Sequence, residues 1–138
     1  MRVLTVLALA ALFANLSLIP SEALAASPRQ EIRIQSRLTG GAIDSVIPEG
    51  SARFRGRNLS TNFSVEVEAV NLPDDTKLTV TLIRGAVIIP AGELTLTNHW
   101  GEIEVNTNDG ELVPQAKAGD IVVVSDAEGT AILTGVLK

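Results

Sequence analysis

The chain contains no cysteine and no tyrosine, and its 138 residues include one tryptophan, three phenylalanines and one histidine. Without thiols there can be no disulfide, thiolate zinc site, iron–sulfur cluster or cysteine catalysis. Few aromatic rings are present for stacking, and the net charge of −5 has the wrong sign for nucleic acid. The composition therefore predicts no cofactor and no nucleic-acid partner, and it disfavours an enzyme.

The first 25 residues have the pattern of a signal-peptide helix. Arg2 gives a positive start, residues 3–19 are mostly apolar, and Pro20 breaks the helix before the small residues of Ala23-Leu24-Ala25. Polar interruptions and the lack of a basic flank disfavour a retained anchor. We predict cleavage before Ala26, a periplasmic or extracellular protein, and no membrane span after cleavage.

Residues 26–138 fit one domain. Turn residues separate segments of period-two alternation from short continuous apolar runs, and such runs are typical of strands covered on both faces. The alternating segments are 31–35, 52–57, 63–70, 77–84 and 102–105, and the apolar runs are 86–89 and 121–124. This pattern predicts an all-β fold, an antiparallel immunoglobulin-like β-sandwich of eight or nine strands.

Charge is unevenly distributed along the predicted domain. Residues 26–60 carry six arginines and three carboxylates, whereas residues 61–138 carry four basic and twelve acidic side chains. We interpret this asymmetry as complementarity between early and late strands rather than as a binding patch. A hairpin of residues 52–57 with 63–69 satisfies both faces in one register. The cross-strand ion pairs that it predicts are Arg53–Glu68 and Arg55–Glu66.

Two further hairpins are predicted from turn residues. One turns at residues 98–101 and sets Leu96 opposite Ile103, with Leu94 opposite Val105. The other spans residues 121–137 and turns at 126–129. Asp120 and Asp126 flank its apolar run, and we interpret them as charges that protect the run from aggregation.

Candidate catalytic residues are few. His99 is the only histidine, and its position in a predicted turn favours an exposed loop residue over a catalytic base. Glu102 and Glu104 share a strand face, so a small hydrolase that uses Glu102, Glu104 and His99 is one alternative function. Glycosidases, however, need two carboxylates that face each other across a cleft. A solvated sheet face is the favoured interpretation of these glutamates.

The loop at residues 106–111 is the richest in oxygen ligands. Asn106, Asn108 and Asp109 are weak candidate calcium ligands, although their spacing departs from the EF-hand pattern. A calcium-dependent or carbohydrate-binding module is therefore the second alternative function. An ordinary turn is the favoured interpretation of this loop.

Trp100 is a single large aromatic residue at the tip of a predicted hairpin. It is a weak candidate anchor for a protein partner, since exposed tryptophan is frequent at binding hot spots. We favour the alternative that Trp100 folds back to cap the core. A protein partner would bind through a strand edge or through the Trp100 loop.

Three segments resemble the CHRD (chordin-repeat) domain and small exported β-domains of environmental bacteria. They are Leu38-Thr39-Gly40, Gly50-Ser51-Ala52-Arg53-Phe54, and residues 129–137, which read Gly-Thr-Ala-Ile-Leu-Thr-Gly-Val-Leu. The resemblance implies an extracellular β-sandwich, and it implies location and fold rather than an activity. The histidine-containing segment of CHRD domains has no counterpart near residues 80–92. We expect an exported, non-enzymatic binding or structural module of the cell envelope or extracellular space.

Overall fold

A computed structural model of the protein describes residues 31–138. The predicted signal peptide at residues 1–25 and the predicted cleavage before Ala26 lie outside the described residues. Glu31–Lys138 is a compact unit with its own apolar core. Across this part of the chain, no helix is long and apolar enough to cross a membrane.

Eight antiparallel strands in residues 31–138 form one sheet, in the order β5-β4-β7-β8-β1-β2-β3-β6. They are β1 (Glu31–Thr39), β2 (Glu49–Arg57), β3 (Ser60–Glu68), β4 (Lys77–Arg84), β5 (Val87–Thr95), β6 (Gly101–Asn106), β7 (Ile121–Ser125) and β8 (Ala131–Val136), with a short 3-10 helix at Thr107–Asp109. The all-β antiparallel fold is confirmed. The sheet curls until its outermost strands, β5 and β6, come into contact, so that it is nearly closed.

Alternation along each strand separates the core from the outward face. On β2, Ala52 and Phe54 are buried, while Arg53 and Arg55 point outward. The core contains mainly valine and leucine, and Phe63 is its largest fully buried side chain. Because only two phenylalanines lie in this part of the chain, branched aliphatic side chains supply most of the hydrophobic stabilisation.

The hairpin of β2 and β3 exists, but its predicted register is wrong. The observed partners are Ser64 for Arg53 and Asn62 for Arg55, in place of Glu68 and Glu66. A displacement of four residues leaves every side chain on its original face, so alternation cannot exclude it. The observed register buries Phe54 directly opposite Phe63 and closes the hairpin at Asn58, whose φ of 55° asparagine tolerates.

The second predicted hairpin forms only at its tip. A single bridge joins Thr97 to Trp100, while β5 pairs with β4 and β6 pairs with β3. Ile103 therefore lies opposite Val65 rather than Leu96, and Val105 lies opposite Phe63 rather than Leu94. Alternation identifies a strand but does not identify its neighbour. The third hairpin, formed by β7 and β8, is confirmed with its turn at residues 126–129.

Neither apolar run is covered on both faces within the described residues. Val122 and Val124 are buried, whereas Ile121 is exposed and Val123 is half-buried. Val87 and Ile88 of the other run are also exposed. The expectation that these runs are covered on both faces is therefore wrong, because each lies in an antiparallel sheet with an outward side.

Two glycines allow β8 to lie beside β1. A methyl group on Gly135 would overlap the carbonyl oxygen of Arg37 and the hydroxyl of Ser36. A methyl group on Gly40 would overlap the carbonyl oxygen of Ile132. A larger residue at either glycine would force the backbones of the two strands apart at this junction. Strands β1 and β8 pair at Thr39 and Thr134.

One buried charge joins three parts of the chain. Asp120 is 2% exposed, and Arg84 donates to its carboxylate from Nε (2.8 Å) and Nη2 (2.7 Å). The backbone N–H of Lys117 donates to the same carboxylate, and Arg84 also donates to the carbonyl of Gln115. Leu137 N–H donates to the carbonyl of Asp120, so the pair anchors β4, the segment before β7, and the end of β8. Asp120 thus has a structural role beyond protecting the apolar run.

We expect Gly135→Ala to lower the free energy of unfolding by about 1–3 kcal/mol, because the added methyl group overlaps backbone. Gly41→Ala is the matched control, since a methyl group there has no neighbour within 4 Å. Urea denaturation of both variants measures the difference. Equal stability of the two variants would show that the close approach at Gly135 is unimportant.

We expect Asp120→Asn to destabilise the fold by about 2 kcal/mol. Removing one partner of a fully buried ion pair costs about 3–5 kcal/mol, and the cost here is smaller because Arg84 is partly exposed to solvent. The hydrogen bond from Arg84 holds the pKa of Asp120 below its ordinary value, against the opposing effect of burial. A carboxyl with a lowered folded-state pKa stabilises the fold above its unfolded pKa of about 3.9, and this stabilisation is lost as the pH falls.

Unfolding curves at pH 7 and near pH 3 test this prediction. The difference between the wild-type protein and Asp120→Asn should shrink on acidification. Glu93→Gln is the control, because it breaks only the exposed Lys77–Glu93 pair (3.7 Å). A pH-independent difference would exclude the charge of Asp120 as its cause.

Candidate functional site

Five cations lie together on the outward face, and we call them the arginine cluster. They are Arg33 and Arg37 on β1, Arg53 and Arg55 on β2, and Lys138 after β8. Burial of the intervening residues on β2 forces Arg53 and Arg55 outward. Two backbone hydrogen bonds between Gln35 and Lys138 (3.0 and 3.1 Å) bring the lysine beside β1.

Two members of the cluster have carboxylate partners. Arg33 Nε lies 3.0 Å from Glu31 Oε1, and this hydrogen bond lowers the pKa of Glu31. Arg37 Nη2 lies 3.2 Å from Glu49 Oε1. Both arginines are largely exposed and both carboxylates reach solvent, so these pairs add little to stability.

Arg53 and Arg55 belong to none of the ion pairs found within residues 31–138. Their neighbours on β3 are the uncharged Ser64 and Asn62, and Arg55 lies directly opposite Arg33 on β1. Like charges in opposed positions destabilise a sheet. The predicted complementarity between early and late strands is therefore not realised at these two arginines.

Three shallow depressions of the outward surface adjoin at Arg53. The first, of about 650 Å³, lies between Arg53, Arg37, Val136 and Lys138. The second, of about 290 Å³, is lined by Arg33, Arg53 and Arg55, among others. The third, of about 360 Å³, extends from Arg53 and Arg55 toward β6. The three depressions thus share Arg53, and each is lined by at least two side chains of the arginine cluster.

The structure brings Glu102 and Glu104 together but leaves His99 apart. Both glutamates line the third depression, where Asn62 Nδ2 donates to Glu104 Oε1 (2.8 Å). His99 occupies the turn after Thr97 with a φ of 65°, and its Nδ1 donates to the carbonyl of Val70 (3.0 Å). It lines none of the three depressions. The two carboxylates lie side by side on one strand rather than facing each other across a cleft.

Trp100 does not cap the core, contrary to our expectation. It is 43% exposed, and its Nε1 donates to Glu66 Oε1 (3.3 Å) on the outward face of β3. The buried residues that flank this turn are Leu96 and Gly101. Its interpretation as an anchor for a protein partner stays a prediction.

Three side-chain oxygen atoms of the 106–111 loop accept hydrogen bonds within the structure. Asn106 Oδ1 accepts from the N–H of Asn108 (2.9 Å), and Glu111 Oε2 accepts from the N–H of Asn106 (2.9 Å). Asn108 Oδ1 accepts from the hydroxyl of Ser60 (3.3 Å). In residues 31–138 no three histidine or acidic side chains are grouped so that they could hold a metal ion.

The arginine cluster is not among the sites that the sequence predicts. The predicted register instead pairs Arg53 and Arg55 with glutamates of β3, because that register satisfies both faces. A visible signal was the placement of Arg53, Arg55 and Arg57 on one strand face, next to a strand with Arg33 and Arg37. Five arginines on two neighbouring strands exceed the three carboxylates available in that part of the chain.

No protein-family model, curated protein or solved structure matches this chain. The similarity to CHRD domains therefore stays a prediction. Residue chemistry and geometry are the basis for a functional proposal.

We expect about 2 mM calcium to leave the melting temperature of the protein unchanged within about 1 °C, since Asn106 and Glu111 already accept hydrogen bonds and no three acidic side chains are grouped in residues 31–138. Differential scanning fluorimetry with calcium and with a chelator measures the shift. A rise of several degrees that Asp109→Asn abolishes would instead support the calcium-dependent alternative.

Proposed function

We propose that this protein is an exported, non-enzymatic binding module of the cell envelope or extracellular space that recognises an anionic ligand through the arginine cluster. Export is proposed from the signal-peptide pattern of residues 1–25. The observation that carries the binding role is the pair Arg53 and Arg55, which have no carboxylate partner in residues 31–138 and line adjoining depressions.

Guanidinium groups suit this role chemically. Arginine stays charged at every physiological pH, and its planar donors match carboxylate and phosphate oxygens in pairs. Arg53 and Arg55 are exposed and therefore keep their donors available to a ligand. The first two depressions are bordered by cations of the cluster, so an anion there would meet several donors at once.

Charge repulsion within the arginine cluster also supports a role in anion binding. Arg33 and Arg55 repel each other across β1 and β2, and an anion placed between them would relieve that repulsion. Glu102 and Glu104 line the third depression together with Arg53 and Arg55, whereas no acidic side chain lines the first two depressions. Recognition is therefore local, and it does not require a positive net charge.

The double variant Arg53→Gln/Arg55→Gln should weaken binding to two anionic polymers, polygalacturonate and inorganic polyphosphate, by about tenfold or more. Each charge-assisted hydrogen bond contributes about 1.5–3 kcal/mol. Titration calorimetry at low salt measures the dissociation constants. Added salt should weaken wild-type binding, since exposed charges are screened.

Arg57→Gln is the matched control for this experiment. Arg57 is an exposed arginine on the same strand face, and it lines none of the three depressions. The control should bind within about twofold of the wild-type protein. Equal affinity of the double variant and the wild-type protein, or no wild-type binding to either polymer, would contradict the proposed function.

A further inference from the structure

An apolar row crosses four neighbouring strands on the outward face of the sheet. Ile83 on β4 lies opposite Ile88 on β5 and opposite Ile121 on β7, and Ile121 lies opposite Val136 on β8. We call these four residues the apolar row. With strands about 4.8 Å apart, the row is roughly 14 Å long.

The row is separate from the core. Its neighbours along the strands, such as Leu82 and Val122, are fully buried on the inward side. Ile88 is 67% exposed, Ile121 39% and Val136 45%, while Ile83 is half-buried. Isolated exposed apolar residues are ordinary, but a contiguous row on four strands marks an interaction surface.

The row ends at the arginine cluster. Val136 lines the 650 Å³ depression together with Arg37, Arg53 and Lys138. The hydrogen bonds between Gln35 and Lys138, with the β1–β8 pairing, place Arg37 directly beside Val136. An apolar surface and a group of cations are therefore continuous across the β8–β1 junction.

We propose that the apolar row and the arginine cluster together dock on the surface of an anionic lipid bilayer. The row enters the boundary between head groups and acyl chains, and the cations contact phosphate oxygens of the head groups. Surface-bound proteins combine apolar side chains with basic residues in this way. This inference rests on the proposed function, and it names the ligand class for the same cluster.

Two features favour a bilayer over other occupants. The apolar row lies on an exposed surface, where Ile88 is 67% exposed. A single lipid molecule bound there would therefore leave its acyl chain in contact with water. In a second copy of the chain the same row also adjoins cations, so charge complementarity favours an anionic surface. The outward carboxylates Glu102 and Glu104 lie on β6, which β1, β2 and β3 separate from β8 and the apolar row.

The test compares three variants of the protein recovered after export. Ile88→Thr/Ile121→Thr/Val136→Thr removes the row while keeping β-branched residues suited to strands. Arg53→Gln/Arg55→Gln removes cations, and Leu59→Thr/Leu112→Thr is the control because both leucines are 96% exposed outside the row. All variants share one N-terminus, so residues before Glu31 contribute equally. Circular dichroism confirms that each variant folds.

Each variant is sedimented with vesicles of phosphatidylglycerol and phosphatidylcholine, with vesicles of phosphatidylcholine alone, and titrated with polygalacturonate. The wild-type protein and the leucine control should bind only the anionic vesicles, and they should bind the polymer. The row variant should lose at least fivefold in vesicle binding and keep its polymer binding. The arginine variant should lose both.

Several results would overturn the inference. Polymer binding without vesicle binding, or a row variant that sediments like the wild-type protein, would reject the bilayer and leave the proposed function intact. A wild-type dimer that the row variant converts to a monomer, without vesicle binding, would assign the row to self-association. No wild-type binding to polymer or vesicles would reject both proposals.

Discussion

The close approach of β8 to β1 at Gly40 and Gly135 is the constraint on which the rest of the structure depends. Strands β5, β4, β7 and β8 are joined to strands β1, β2, β3 and β6 by strand pairing at this junction, and at the opposite edge they meet through the β5–β6 contact and the Thr97–Trp100 bridge. A side chain at either glycine would separate the two groups of strands. Because the apolar row lies on one group and most of the arginine cluster on the other, the junction also creates the proposed binding surface.

Arg53 and Arg55, which form no ion pair within residues 31–138, make this surface suitable for binding an anion. The later part of the chain contains twelve carboxylates, yet Ser64 and Asn62 lie opposite Arg53 and Arg55. A register displaced by four residues would have supplied glutamates, but it would have separated Phe54 from Phe63. In a core with few aromatic rings, two buried rings placed opposite each other can add about 0.5–1.5 kcal/mol beyond their burial, whereas each exposed ion pair is worth about 0.2–1 kcal/mol. Core packing therefore leaves the cations free for another partner.

Sequence patterns locate the strands, but they do not identify which strands pair with one another. Alternation located β2, β4 and β6 to within a few residues, and turn residues identified the β7–β8 hairpin. Alternation cannot distinguish registers that differ by an even number of residues. The predicted pairing of Arg55 with Glu66 is wrong for this reason. Nor could it show that Asp120 binds Arg84, 36 positions away in the chain. Val113 and Ala116 join the core from a segment without periodicity.

The same limits applied to the candidate site. The excess of arginine was visible in the sequence, but its meaning depended on cross-strand partners that only the fold defines. A two-dimensional amide NMR titration with short-chain phosphatidylglycerol tests the account most directly. We expect the largest changes in amide chemical shift at Arg37, Arg53, Val136 and Lys138. Shifts confined to Trp100 and residues 106–111, or no shifts at all, would contradict it.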